Sequence, residues 1–110
     1  MKFEIEKARR GVAIIRGAGK LNMVSAPDLR AAVHSAVEDQ FTRIVVDLSK
    51  IDFMDSSGLG ALVGSLKTAR QAGGDLRIAA PSAQVTMVLQ LSNLDRVLAS
   101  FDTAEDAYRD

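Results

Sequence analysis

Arg43-Ile44-Val45-Val46-Asp47-Leu48, followed by Asp52-Phe53-Met54-Asp55-Ser56-Ser57-Gly58-Leu59-Gly60-Ala61-Leu62-Val63-Gly64, decides the fold. The first run is β-branched and nearly continuously apolar, the pattern of a central strand buried on both faces. A polar stretch follows, and then Gly58 to Ala72 reads as a helix. Ala72-Gly73-Gly74-Asp75 stops it, as glycine past a helix end commonly does. Leu76 to Ala80 is the next strand. Strand, helix and strand form a βαβ unit, expected to be parallel and right-handed.

Upstream, Phe3 and Ile5 alternate with Lys2, Glu4 and Glu6, the period of a half-buried strand. Arg9-Arg10-Gly11 is a turn, and Val12 to Arg16 a second strand, so the two predict an antiparallel hairpin. Gly17, Gly19 and Asn22 mark a loop. Ser25 is a candidate cap for the next helix, with Pro27 in its first turn. Leu29, Val33, Ala36 and Val37 recur at helical spacing, and that helix should end near Gln40.

Downstream, Pro81-Ser82 opens a helix carrying Val85, Val88 and Leu89. Val97 to Phe101 is a short edge strand. Asp102-Thr103-Ala104-Glu105 reads as a capping box for a last helix, with Asp in the capping place. The fold class is therefore α/β: one small mixed sheet, an N-terminal hairpin plus parallel βαβ strands, with about four helices. The 110 residues are expected to make a single domain.

Composition narrows the function. Lys plus Arg number 14 and Asp plus Glu 14, so there is no basic excess to neutralise nucleic-acid phosphates. The chain has no Cys and one His, which removes disulfides, cysteine nucleophiles and a structural zinc site. No run approaches the length of a membrane span, and the N-terminus lacks the apolar block of a signal peptide. A cytoplasmic protein without membrane insertion, metal or cofactor is the expectation.

The segment after the central strand is where an α/β fold places its site. It fails the phosphate-binding loop, because Gly64 is followed by Ser65-Leu66-Lys67 and not by Lys-Ser/Thr. It also fails the dinucleotide fingerprint, whose third glycine would come one residue earlier. A serine-hydrolase elbow needs Gly two residues before the serine, where Met54 stands. No catalytic residue is expected. Asp55, Ser56 and Ser57 are all good N-cap types, so the serines are either caps or an exposed functional site. Gly58, Gly60 and Gly64 serve tight packing or ligand contact. Met23 and Val24 are core plugs or part of a binding surface. His34 reads as a solvated helix residue.

These residues resemble the signature of STAS domains, and among them the stand-alone anti-sigma factor antagonists of bacteria. The match rests on Ile44 to Leu48, Phe53-Met54-Asp55-Ser56-Ser57-Gly58-Leu59-Gly60, Gly19-x-Leu21 and Gly73-Gly74. The resemblance implies that Ser56 is phosphorylated by a partner anti-sigma factor that is also a serine kinase. It implies that the unphosphorylated form binds this partner and frees a sigma factor, and that a serine phosphatase resets the switch. Partner-binding residues carried over by position are Asn22, Met23, Asp55, Ser56, Ser57, Gly58, Leu59 and Gly60. The family commonly has Gly-Glu-Leu-Asp where this chain has Gly19-Lys20-Leu21-Asn22. That removes one carboxylate and reverses another charge. A monomer or weak dimer is expected.

Two rival readings accompany this one. The domain could be a subunit of another complex, a lipid-transport accessory or a stressosome-like scaffold, that binds partners without a phosphate switch. It could also be a nucleotide- or lipid-binding sensor, although no dedicated pocket motif is present.

Overall fold

The computed structural model describes residues 1–108. The strands are β1 (Glu4–Lys7), β2 (Val12–Arg16), β3 (Gly19–Leu21), β4 (Arg43–Asp47), β5 (Ile51–Met54), β6 (Asp75–Ala79) and β7 (Ser100–Phe101). The helices are α1 (Ala26–Glu38), α2 (Ser56–Gln71) and α3 (Ala83–Leu91), with 3-10 turns at Leu94–Arg96 and Ala104–Asp106. A five-stranded sheet has the order β1-β2-β4-β6-β7. β1 and β2 are antiparallel, and every other pairing in it is parallel. The mixed α/β architecture expected from the sequence is therefore present, with the hairpin at one edge and the β4–α2–β6 crossover at the centre.

The sheet explains its own sequence. Ala13, Ile15, Ile44, Val46 and Ile78 face a core shared with Leu29 and Val33 of α1, Leu62 and Leu66 of α2, and Val85 and Leu89 of α3. Val12, Ile14, Val45 and Ala79 face the other way, against Ala104, Ala107 and Tyr108. Strands buried on both faces cannot alternate polar with apolar, which is why β4 reads as a continuous hydrophobic run. Each large side chain taken fully from water contributes about 1.5–3 kcal/mol before entropy is subtracted. The second face is only partly covered. A hollow of about 430 Å³ lies there, floored by Val12 and Ile14 and edged by Tyr108.

Three α-helices form among the described residues, not about four. The capping box at Asp102 opens only a 3-10 turn, and Thr103, not Asp102, caps it by accepting from the Asp106 N–H at 3.3 Å. Packing sets this outcome. Ala104, Ala107 and Tyr108 are pinned on the sheet, and the Tyr108 hydroxyl donates to the Ile44 carbonyl at 3.1 Å. Any continuation of the expected helix falls at residues 109–110, outside the described residues.

Two strands escaped the sequence reading. β3 lies inside the stretch read as a loop, and β5 inside the polar stretch; they pair in parallel as a separate two-stranded sheet. Their burial patterns, intermediate-exposed-buried and buried-exposed-exposed-buried, carry no period of two to detect. α1 also ends slightly early, at Glu38. Ser25 does not cap it with its side chain.

Candidate functional site

The small β3–β5 sheet aims both of its outgoing loops at one place. β5 leads straight into α2 through Asp55, whose backbone is extended, with φ −107° and ψ −172°. The Asp55 carboxylate accepts from the Gly58 N–H at 3.0 Å, so Asp55 is the N-cap. Ser56 is therefore the first helical residue, and its side chain is free of capping duty. The choice among three good capping residues is made by backbone register, and it leaves Ser56 exposed and Ser57 half-buried. The first N–H groups of a helix have no intrahelical partners, so the backbone beside Ser56 is a local concentration of donors.

β3 is held against this turn by close backbone approach. The Leu21 carbonyl accepts from the Asp55 N–H at 3.3 Å. It also lies 2.2 Å from where a Cβ on Gly58 would sit, so no side chain fits at position 58. Gly58 is thus a packing glycine, and its contact is the β3 backbone. Gly60 and Gly64 differ. The nearest atoms to a Cβ at either place belong to the Arg30 side chain of α1, at 4.0 and 3.8 Å. Leu59 is half-buried and packs against the main core, while Gly60 is exposed.

The β3–α1 loop is built on Asn22. Its Oδ1 accepts from the N–H groups of Val24 at 3.0 Å and Ser25 at 3.3 Å. Ser25 is buried; its hydroxyl donates to the Lys20 carbonyl at 2.7 Å and accepts from the Asn22 N–H at 2.9 Å. An amide oxygen suffices for this turn, so Asn22 keeps the geometry that an aspartate would give while removing the charge. The loop holds Met23 and Val24 outward, 73% and 76% exposed. They are surface residues and not core plugs. The turn thus holds two adjacent apolar side chains in solvent.

All eight residues singled out from the sequence, Asn22, Met23, Asp55, Ser56, Ser57, Gly58, Leu59 and Gly60, belong to this loop or to the β5–α2 junction that Leu21 ties to it. One further group supports the site. Gln84, in the first turn of α3, accepts from the Met54 N–H at 2.8 Å and donates to the Met54 carbonyl at 3.0 Å. It satisfies the edge of β5 that β3 does not pair. A lone glutamine one residue into a helix gives no sequence signal of such a role.

His34 lies on α1, exposed, 2.6 Å from Glu38. Among the described residues no cluster of three or more His, Cys, Asp or Glu could hold a metal ion. Arg16 on β2, whose pKa a hydrogen bond to Glu6 raises, and Tyr108, raised by burial against the far face of the sheet, both lie away from this site. Among the described residues no helix is long and apolar enough to cross a membrane.

Fold and site together define a small mixed α/β domain: a helix-covered sheet presenting an exposed serine at a helix start. Residues 5–107 match the STAS domain family, and the chain belongs to it. It is 32% identical over 109 residues to an anti-sigma F factor antagonist of Paenibacillus polymyxa, covering 97% of this chain and 93% of that protein. Its fold superposes with a TM-score of 0.85 on an anti-sigma factor antagonist from Mycobacterium paratuberculosis, at 27% identity over 98% of this chain and 91% of that one. It superposes at 0.75 on the phosphorylated form of the Bacillus cell fate determinant SpoIIAA, at 28% identity over 97% and 96%.

Proposed function

We propose that this chain is an anti-sigma factor antagonist acting as a phosphorylation-gated binding switch rather than as an enzyme. The observation that carries this reading is the division of labour at the start of α2. Asp55 caps the helix, and Ser56 is left as an exposed hydroxyl with no structural task. The relatives named above support it, one as an anti-sigma F factor antagonist and one as a protein with a phosphorylated form.

In its unmodified form the chain binds an anti-sigma factor through the Met23–Val24 turn and the first turn of α2. The partner is a serine kinase. It transfers the γ-phosphoryl group of ATP to Ser56 Oγ: the Oγ–P bond forms, the bond from phosphorus to ADP breaks, and the hydroxyl proton passes to a base on the kinase. The phosphate adds about −1.5 to −2 charges. The helix dipole and free N–H groups accommodate it without unfolding the domain. Asp55 next door compounds the negative charge against the partner surface. Burying such a charge unpaired costs several kcal/mol, enough to weaken an affinity by orders of magnitude. A serine phosphatase hydrolyses the ester with water and restores the binding form.

The test is a paired pull-down from a lysate of the organism that encodes the chain, with wild type and Ser56→Glu as baits. A kinase-type ATPase should stay on wild type and be lost from Ser56→Glu. Mixed with ATP, it should place phosphate on Ser56 of the wild type and none on Ser56→Ala. The same partners on both baits would sink the switch and favour a constitutive scaffold subunit.

A further inference from the structure

Ser56, Gly60 and Gly64 succeed one another at intervals of four along α2 and so share one row of its surface. Arg30 of α1 lies along that row. Its Nε is 3.8 Å from the Cβ position of Gly64, and its Nη2 is 4.0 Å from that of Gly60. The far end of the side chain therefore points toward the start of α2, and the next position on the row is Ser56, one turn or about 6 Å further on. The two glycines leave the trough in which the side chain rests. Arg30 is exposed and forms no ion pair with a carboxylate among the described residues. Asp55 bonds the Gly58 N–H, and Asp28, two residues before Arg30, pairs with the amino group of Met1 at 3.2 Å.

We propose that Arg30 is the positioning residue that receives the phosphate on Ser56, folding it along the α2 row against α1. This rests on the reading of Ser56 as the phosphorylated residue. A guanidinium presents two parallel donors to a phosphate, a match that an ammonium cannot reproduce. The helix N-terminus supplies donors from one side and Arg30 from the other, so the phosphate has a defined place without any movement of the backbone. Capture also neutralises an exposed cation beside this site, one that an approaching partner would otherwise meet. The modified and unmodified surfaces then differ in two features: a charge added at Ser56 and a charge neutralised at Arg30.

The experiment installs phosphoserine at position 56 during synthesis and follows the phosphate by phosphorus NMR against pH. Asp55 beside the probe, Asp52 on β5 and Lys20 on β3 are common to all variants, so the comparison isolates Arg30. In the wild type the second pKa of the phosphate should lie about half a unit or more below its value in Arg30→Gln, since a nearby cation favours the dianion. Arg30→Lys should recover part of the shift. Lys67→Gln, which removes one exposed cation further along α2, should leave it unchanged. Equal titration of wild type and Arg30→Gln would overturn the proposal, as would an equal effect of Lys67→Gln. The outcome does not depend on any kinase. Failure of the phosphorylation reading shows separately, as absence of ATP-dependent phosphate on Ser56.

Discussion

Gln84 grips Met54 by both ends of its side-chain amide, accepting from the backbone N–H at 2.8 Å and donating to the carbonyl at 3.0 Å. The contact bridges thirty residues of sequence and joins α3 to the last residue of β5. It fixes the strand that delivers Asp55 and Ser56. Gln84→Ala should cost about 1–3 kcal/mol, because two half-buried backbone groups lose their partners. Gln84→Glu should cost at least as much near neutral pH, since a carboxylate cannot donate to the Met54 carbonyl. Urea unfolding monitored by circular dichroism measures both. Stability equal to wild type in Gln84→Ala would show that water replaces the amide at no cost.

Gly58 and Gly60 stand two residues apart on the same helix and should respond in opposite directions to the same change. A methyl group at 58 would meet the Leu21 carbonyl at 2.2 Å, a backbone atom that cannot swing aside. Gly58→Ala should therefore destabilise by about 3 kcal/mol and displace the β3–α1 loop. At position 60 the nearest atom is 4.0 Å away, at the end of a flexible arginine. Gly60→Ala should gain up to about 1 kcal/mol from helix propensity. A pair of thermal melts decides this. Equal melting temperatures for the two variants would mean that the β3 backbone yields.

The contrast shows what the sequence could and could not convey. The β4–α2–β6 unit was readable because two-sided burial leaves a continuous apolar run and because glycines punctuate the helix end. The Asp55-Ser56-Ser57 block was visible as a site, but three adjacent capping types left the register open. Only the extended backbone at Asp55 assigns the cap and frees Ser56. β3 and β5 were hidden because strands of three and four residues at a sheet edge have no period to display. The capping box at Asp102 predicted a helix that packing holds to a single turn. Gln84 and Arg30 were invisible for a different reason. Gln84 bonds to β5 and Arg30 lies against α2, elements distant in sequence, and nothing in the local pattern of either residue records the contact.

Tyr108 packs on the far face of the sheet, with its ring stacked 4.2 Å from the Arg77 guanidinium and its hydroxyl on the Ile44 carbonyl. Burial, and next the charge of Asp75, push its pKa above the ordinary 10.0. The unfolded chain releases the tyrosine proton first, so this group's contribution is intact below pH about 10 and is lost as pH rises further, by at most about 1.4 kcal/mol per unit. Tyr108→Phe should lose about 1 kcal/mol at neutral pH with the hydrogen bond. It should also flatten the alkaline decline in urea midpoint that wild type shows. Parallel declines in the two proteins would place the alkaline sensitivity at other groups.

Met23 and Val24 are exposed on a turn whose hydrogen bonds come from Asn22 and Ser25, so removing their side chains should leave the fold alone. Met23→Ser with Val24→Ser should change stability by less than about 0.5 kcal/mol. If these side chains are the apolar part of the contact with the anti-sigma factor, their burial contributes about 1.5–3 kcal/mol each in the complex. The double variant should then weaken binding by roughly a hundredfold or more. Asn22→Asp restores a carboxylate on the same turn and should keep its geometry, because either oxygen accepts from Val24 and Ser25. Its effect on affinity therefore isolates charge from shape. Calorimetric titration of the anti-sigma factor with the three proteins reads both quantities. Unchanged affinity in the double serine variant, with the fold intact, would move the contact surface off this turn and onto the first turn of α2 alone.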